Sequence, residues 1–562
     1  MNDSFRRDHL GCYGSRYVKT PNLDGFSEHS ALFEQCYIGS YPTVPNRWDL
    51  STGRFGFPCR GWQPLDKYDV TWAQVLSAAG IHTQMIWDTP MLGRNNYDYT
   101  RGFSGLAFVH GQKGDPWKTD PGIPITLPAQ PHKIRAIGKG PTGGITGYLR
   151  NHHFRRYERE FCVGRTMSEA VDWLETNYNH DAFFLWVDMW DPHEPFDCPW
   201  YDYGLYSDPN YSGDQMLHPE YGRPTYMSEG EKRNVRALYA GNCTLADRWA
   251  GHLFNACEKL GLLKNTLIVW TTDHGHLFGD HDLQGKPGAE LGKLYETTTR
   301  IPLLVHHPSG LGAGKRIAGI VQPADILPSI LDFFEISIPS HIQGKSIWPL
   351  VGGARSGVRS GARSGAGNGA GDAETKCIHD YAFSSRFPPS AGDPTYTPVE
   401  GSVFDGWVGS GRVVEPSTVT SDEWAYICAV EGMSSELYNL RIDPEQTDNI
   451  IEQHPDVAKR MRNEWLTFLE SHGAQSARIQ PFKEPITDAH TPSGGELFAF
   501  RDDLGQMIAY PTEQEAMEGA YHRDAPGPQR SIEKTTFGAL LDDNPRNLIH
   551  MYGQFYWAED LL

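Results

Sequence analysis

Thr266-Leu267-Ile268-Val269-Trp270-Thr271-Thr272-Asp273-His274-Gly275-His276 passes from an apolar segment straight into a carboxylate and two imidazoles. The segment from Thr266 to Trp270 has the length and character of a buried strand. Its far end presents Asp273 and His274 side by side, with Gly279-Asp280-His281 and Gly285-Lys286-Pro287 just downstream. Carboxylate and imidazole donors at a strand terminus suit a divalent metal ion. In open α/β sheets, functional groups gather at the carboxyl ends of strands, so this stretch predicts an α/β fold.

The flanking segments repeat the pattern. Residues 230–262 read as one long helix ending at Gly261, Arg300 to Val305 as a core strand, and Ala324 to Ile336 as an apolar helix. Upstream, Met167 to Tyr178 is an amphipathic helix followed by the apolar run Phe183 to Val187, which ends in Asp188 and Asp191-Pro192-His193-Glu194-Pro195. Thr71 to Gly80 reads as a helix and His82 to Trp87 as a strand ending at Asp88-Thr89-Pro90. Such alternation points to a layered α/β domain. Residues 91–160 lack sustained periodicity and are expected to form long surface loops at a substrate rim.

The stretch Ser40-Tyr41-Pro42-Thr43-Val44-Pro45-Asn46-Arg47 sets a hydroxyl four residues before an arginine. Such a hydroxyl can serve as a nucleophile and the arginine as a fixed positive fork; a proline-bearing surface turn is the alternative. Asp3 lies near the N-terminus, ahead of the glycine-punctuated loop Leu10-Gly11-Cys12-Tyr13-Gly14, with no strand before it.

Composition narrows the function classes. A chain of 562 residues is too long for one ordinary core, and 39% hydrophobic with 12% aromatic residues describes a folded globular protein. A net charge of −20 argues against general nucleic-acid binding, so a small anionic substrate needs a local cluster of cations or metal. No run approaches the roughly 18 apolar residues of a membrane span, and the N-terminus lacks a signal-type apolar segment. Nine cysteines without a CxxC spacing indicate neither a zinc knuckle nor a disulfide framework, and a cytoplasmic location is expected.

Three parts are expected: a catalytic unit over 1–400, a small subdomain over 401–475, and an irregular extension over 476–562. The Gly, Ala, Ser and Arg tract within 352–373 is expected to be a flexible loop. The subdomain carries strands at Trp424 to Ala429 and Glu436 to Leu440 and a helix from Pro455 to His472. The aromatic tail Met551-Tyr552-Gly553-Gln554-Phe555-Tyr556-Trp557 suggests packing on its own domain or on a second subunit of a homo-oligomer.

In order along residues 1 to about 470, these stations resemble the sulfatase branch of the alkaline phosphatase superfamily. The resemblance rests on Asp3 to Gly14, Thr20-Pro21-Asn22-Leu23-Asp24, Thr43-Val44-Pro45-Asn46-Arg47 with Thr52-Gly53-Arg54, His193-Glu194-Pro195, Asp273-His274-Gly275, Gly285-Lys286, and Glu436-Leu437-Tyr438-Asn439-Leu440. It implies a large mixed sheet sandwiched by helices, with a smaller α+β C-terminal subdomain. Asp3, Thr43, Asp273 and His274 then match metal ligands, with Thr43 as nucleophile and Arg47 steadying it. His193 and Lys286 match contacts to the transferred group, and Asp88, Thr89 and His281 are further candidate substrate contacts. One divalent ion is implied (Ca, Mg, Mn or Zn); a variant adds a second held by Asp188 or Asp191, His193 and His281.

The departures from the family pattern bear on the reaction. Sulfatases convert a Cys or Ser at the nucleophile position to formylglycine, a change that Thr43 should not undergo. The expected carboxylate pair is Asp3-Ser4, one charge fewer, and Asp88-Thr89-Pro90 stands where arylsulfatases have a Lys-Trp-His cluster. The first expectation is therefore a metal-dependent hydrolase of phosphate or phosphonate esters, in particular diesters, with Thr43 attacking phosphorus. A sulfatase using unmodified Thr43 is the second. A binding-only relative is the third, suggested by the strand that the resemblance implies ahead of Asp3.

Overall fold

The computed structural model describes residues 1–93, 97–135, 144–286, 293–352, 377–386, 416–429, 434–474 and 476–483, together with backbone strands in the C-terminal region. Strands in chain order are β1 (Ala31–Tyr37), β2 (Ser40–Tyr41), β3 (His82–Trp87), β4 (Gly105–Phe108), β5 (Phe183–Asp188), β6 (Ile268–Thr271), β7 (Leu277–Phe278), β8 (Gln284–Gly285), β9 (Arg300–His306), β10 (Arg316–Val321), β11 (Ala382–Arg386), β12 (Ser417–Thr420), β13 (Trp424–Cys428) and β14 (Glu436–Asn439).

Two sheets carry the principal unit. One is four-stranded in the order β10-β1-β9-β6, mixing parallel and antiparallel pairs; the other is the parallel sheet β4-β3-β5. The first two residues stitch them together. The Met1 amine donates to Val187 O at 2.8 Å, Met189 N donates to Met1 O at 2.9 Å, and Asn2 N donates to Thr271 O at 3.0 Å. Asp3 is thereby seated between the carboxyl ends of β5 and β6.

Alternating side chains send each strand's apolar residues to opposite faces. Phe33, Leu303 and Val305 pack on one side with Trp48, Leu76 and Ile330; Leu32, Leu304 and Trp270 pack on the other with Leu23, Met167 and Leu238. Helices Thr43–Thr52, Trp72–Ala78 and Ile326–Phe333 cover the first face, and Pro21–Glu28, Cys162–Asn177 and Glu229–Lys259 cover the second. This is the layered α/β arrangement expected from the sequence.

A five-stranded sheet, β14-β13-β12-β11-β2, forms the smaller unit's frame. Its strand β11 precedes residue 401, and β2 comes from the segment leading to Thr43. The pairing of β11 with β2 is parallel, with Ser385 opposite Ser40 and Arg386 opposite Tyr41. Helix Pro455–Ser471 closes this sheet: Trp465 stacks on Phe57 at 5.6 Å between ring centroids, and Phe468 stacks on Phe383 at 4.1 Å.

Two expectations need correction or restriction. Residues 476–562 are not irregular throughout: helix Ser476–Lys483 is followed by β15 (Glu496–Arg501), β16 (Met507–Tyr510), β17 (Glu533–Thr536), β18 (Leu548–Met551) and β19 (Gln554–Trp557), in one antiparallel sheet. These strands are short and separated by Gly- and Pro-bearing segments, which hides their alternation in the sequence. The Gly, Ser and Arg tract at 353–373 lies outside the described residues, as do the side chains of the aromatic tail. The nine cysteines are unpaired, and among the described residues no helix is long and apolar enough to cross a membrane.

Trp465 is 1% exposed and anchors the small unit to the loop after helix Thr43–Thr52. Trp465→Ala is expected to destabilise the protein by about 3–5 kcal/mol, measured by urea denaturation followed through tryptophan fluorescence and far-UV circular dichroism.

Candidate active site

The apolar strand β1 turns through Ile38-Gly39 into β2, and Pro42 then starts the helix Thr43–Thr52. Every residue of that helix is buried, which removes the reading of a surface turn. Asp49 clamps the entry and exit of the segment: it accepts hydrogen bonds from Ser40 N at 2.7 Å, Ser40 Oγ at 2.8 Å and Gly56 N at 2.8 Å. Thr43 occupies the first turn, where backbone N–H groups and the helix dipole favour negative charge. Its Oγ1 lies 3.5 Å from His274 Nε2.

One turn further on, Arg47 is fully buried among carboxylates. Nε and Nη2 donate to Asp188 at 2.8 and 3.0 Å, and Nη1 donates to Asp273 Oδ2 at 2.7 Å and to Thr43 O at 3.2 Å. Asp3 Oδ2 lies 3.2 Å from Nη1. The fork expected to meet an oxyanion thus grips three carboxylates and the Thr43 carbonyl.

Asp3, Asp273 and His274 converge, with one donor atom of each within 4.8 Å of the others. Ser4, in the left-handed region at φ 61°, links them: its N donates to Asp273 Oδ1 at 2.9 Å and its Oγ to Asp3 Oδ1 at 2.8 Å. Burial and the Asp273 charge push the Asp3 carboxyl well above the usual range. Burial also acts to raise Asp273, but His274 and Arg47 hold it below the usual range. His274 is pulled down to about 4 by burial, so its imidazole is neutral and able to ligate. Asp3 Oδ2 accepts no hydrogen bond among the described residues. Two crowded carboxylates, an orphaned acceptor and a neutral imidazole are the donor set of a divalent cation.

A second group assembles around Glu194, whose carboxylate is fully buried. His193 Nδ1 lies 2.6 Å from Glu194 O and 3.3 Å from Oε2; Lys286 Nζ is 3.5 Å from Oε2; His218 Nε2 is 3.4 Å from Oε1; His276 Nδ1 is 3.7 Å from Oε2. Lys286 Nζ also donates to Ser4 Oγ at 3.1 Å, joining this group to the Asp3 trio. Burial pulls His193 and His218 well down and His276 to about 3. Burial acts to raise Glu194, but His193 and Lys286 hold it well below the usual range. His193 and Lys286 were legible in the sequence; Glu194, His218 and His276 were not singled out, although two of them stand beside residues that were.

The remaining candidates lie elsewhere. Asp88 accepts from Trp190 N at 2.7 Å and Thr166 Oγ1 at 2.9 Å, and Thr89 Oγ1 donates to Asp188 Oδ1 at 2.5 Å. Both therefore brace the loops beneath Arg47. His281 stacks on Tyr295 with ring centroids 3.5 Å apart, and Asp191 accepts from Gln112 Nε2 at 2.9 Å. Among the described residues only the Asp3, Asp273 and His274 group has metal-ligand spacing; the set for a second ion is not brought together.

A sequence model of the sulfatase family matches residues 1–336. The chain belongs to the sulfatase family. The arylsulfatase of Clostridium perfringens (strain 13 / Type A) is 26% identical over 394 residues, spanning 62% of this chain and 77% of the relative. Arylsulfatase K of Homo sapiens is 23% identical over 480 residues, spanning 79% and 76%. Among solved structures, the phosphonate monoester hydrolase of Agrobacterium radiobacter superposes with a TM-score of 0.60 at 20% identity, over 84% of this chain and 94% of that one. A protein solved in complex with its substrate D-glucosamine-2-N,6-O-disulfate gives a TM-score of 0.57 at 17% identity, over 86% and 98%. These neighbours share the alkaline phosphatase-like fold. The protein is accordingly a sulfatase-family hydrolase acting on ester bonds, in a family whose enzymes use a divalent metal ion.

Removing Arg47 would leave three buried carboxylates uncompensated. Arg47→Ala is expected to lower unfolding free energy by about 3–5 kcal/mol, and Arg47→Lys to restore little because an ammonium cannot span Asp188 bidentately; denaturant titration of the three proteins checks both. Asp273→Asn is expected to lose bound divalent ion, and His281→Ala to keep it, in elemental analysis of the purified proteins.

Proposed function

We propose that the protein hydrolyses phosphodiesters or phosphonate monoesters, with Thr43 as an unmodified nucleophile. The observation that carries this reading is the chemistry of residue 43: a β-branched alcohol, 3% exposed, at a helix N-terminus beside the metal-ligand trio. Sulfatases use a formylglycine hemiacetal, which releases sulfate by collapsing to the aldehyde. A threonine ester has no such exit and must be opened by a second attack at the transferred atom. Phosphorus esters are cleaved in this two-step manner by threonine nucleophiles elsewhere in the superfamily, and the solved neighbours of this fold include phosphonate monoester hydrolases.

In the first step the Thr43 Oγ1–P bond forms, the P–O bond to the leaving group breaks, and the proton lost by the Thr43 hydroxyl ends on the departing oxygen. Lys286, held between Ser4 Oγ and Glu194, supports the departing oxygen. In the second step water attacks phosphorus, the Oγ1–P bond breaks, and the proton that His193 takes from the water passes to Thr43 Oγ1. His193 has its Nδ1 directed to the Glu194 carbonyl, which leaves Nε2 as the nitrogen that accepts the water's proton. Asp3, Asp273 and His274 would hold the divalent ion, with Mg, Mn, Ca and Zn all compatible with this donor set. When bound, such an ion lowers the hydroxyl pKa and neutralises charge on the ester oxygens.

A second reading, sulfate-ester hydrolysis by unmodified Thr43, is favoured by the arylsulfatase names of the sequence relatives. A panel of bis(4-nitrophenyl) phosphate, 4-nitrophenyl phenylphosphonate and 4-nitrophenyl sulfate separates the two. The phosphorus esters are expected to be cleaved at least about a hundredfold faster. Thr43→Ala is expected to lose roughly a thousandfold or more in kcat/KM and Thr43→Ser to keep measurable turnover. Peptide mass spectrometry is expected to find residue 43 as unmodified threonine. Faster sulfate cleavage that survives Thr43→Ala overturns the proposal.

A further inference from the structure

Strand β2 is two residues long, and neighbouring side chains on a strand leave by opposite faces. Ser40 turns toward Asp49, which accepts from its Oγ at 2.8 Å. Tyr41 turns the other way, and its ring comes to rest against the imidazole of His274, with centroids 4.9 Å apart. Strand β11 supplies a second contact. Arg386, opposite Tyr41 in the parallel pair, sets its guanidinium 4.8 Å from the centre of the ring. The ring is 1% exposed and packs in the same apolar cluster as Val44 and Trp48.

The hydroxyl is treated differently from the ring. Four of the described tyrosines are less than 2% exposed: Tyr37, Tyr41, Tyr99 and Tyr239. Tyr37 donates to Glu296, Tyr99 to the Val44 carbonyl at 3.0 Å, and Tyr239 to the Ser4 carbonyl at 2.7 Å. That is the ordinary fate of a buried phenol, whose O–H is costly to leave unpaired. Among the described residues Tyr41 alone of the four makes no hydrogen bond. Its oxygen is nevertheless not one of the sealed, unpaired polar atoms of the interior, so it reaches open space.

That space adjoins both halves of the site. Burial pushes the Tyr41 hydroxyl up to about 12, against the charges of Arg386 and Lys286 and with those of Asp273 and Glu194. The hydroxyl therefore keeps its proton, within electrostatic reach of the metal-ligand trio and of the Glu194 group. His274 Nε2 is 3.5 Å from Thr43 Oγ1, so the ring that rests on His274 stands beside the hydroxyl read as the nucleophile. An ester bound for attack by Thr43 brings its non-bridging oxygens here, and these gain negative charge as the transition state forms. A neutral donor held rigidly toward them stabilises that charge without reorganising.

We propose that Tyr41 is a catalytic residue: its hydroxyl donates a hydrogen bond to a non-bridging oxygen of the tetrahedral group that is transferred, while His274 and Arg386 hold the ring. This rests on the reading of Thr43 as nucleophile, but not on the choice between phosphorus and sulfur.

The test compares the purified full-length protein with Tyr41→Phe, which keeps the ring and removes the hydroxyl. Steady-state kinetics use substituted-phenyl esters of the preferred acid, beside metal analysis, thermal unfolding and titration calorimetry with inorganic phosphate and inorganic sulfate. Tyr41→Phe is expected to lose about a hundredfold in kcat/KM, with metal content and Tm little changed. The loss is expected to be the same for good and poor leaving groups, and at least one anion to bind more weakly. Wild-type kcat/KM and anion affinity in Tyr41→Phe overturn the proposal. A loss that grows with the pKa of the leaving phenol also overturns it, since the hydroxyl then serves the departing oxygen. A loss accompanied by falling Tm or metal content assigns Tyr41 a structural role instead. Should Thr43→Ala keep its activity while Tyr41→Phe still weakens anion binding, the reading of Thr43 fails and the hydrogen bond from Tyr41 stands.

Discussion

One buried guanidinium sets the geometry of the whole site. Arg47 joins Asp188 at the end of β5, Asp273 just beyond β6, Asp3 near the N-terminus and the carbonyl of Thr43. A charge in the interior is tolerated only when it is matched and hydrogen-bonded, and each of these carboxylates needs the guanidinium as much as it needs them. Helix Thr43–Thr52 therefore cannot slide along the sheet without stranding charge on both sides of the contact. Helix, two sheets and N-terminus are locked in one register, and the position of Thr43 Oγ1 beside His274 follows from it.

The Glu194 group obeys the same electrostatic logic from the opposite direction. Here one carboxylate is surrounded by nitrogen: His193, His218, His276 and Lys286 all lie within 3.7 Å of it. Three protonated imidazoles around a single carboxylate would repel one another in a site sealed from solvent, and burial keeps them neutral instead. The permanent charges in contact with one another then reduce to Lys286 and Glu194. Ser4 connects this group to the metal-ligand trio through Lys286 and Asp3, so the two halves of the site share a hydrogen-bonded floor.

Local pattern made the fold readable where segments were long or fully buried. His82–Trp87 and Phe183–Asp188 follow directly from their apolar runs, and the helix Glu229–Lys259 from its periodicity and the glycine that ends it. The strands Arg316–Val321 and Ala382–Arg386 were missed because they are short, carry polar residues, and are defined by partners far away in the chain. The site divides the same way. Asp273, His274 and Lys286 sit close together in sequence and could be found by spacing; Ser4 and Lys286, 282 residues apart, meet only because the N-terminal segment lies beside the end of β6. His281, close to the trio in sequence, stacks on Tyr295 and is not part of the metal-ligand group. The role of Arg47 was half legible: its identity came from spacing, but its three carboxylate partners came only from the three-dimensional fold.

The two departures at positions 4 and 43 are physically connected. A second carboxylate at position 4 would draw Lys286 into an ion pair beside the trio; the Ser4 hydroxyl takes only a hydrogen bond from Nζ and passes one on to Asp3. Lys286 is thus paired with Glu194 alone among the described residues, and with Ser4 only through a hydrogen bond. At position 43 the β-branch restricts χ1, which limits the directions open to the hydroxyl within the helix. The proposed cycle, which forms and then opens a simple ester at one tetrahedral atom, needs both a hydroxyl at position 43 and a cation beside it.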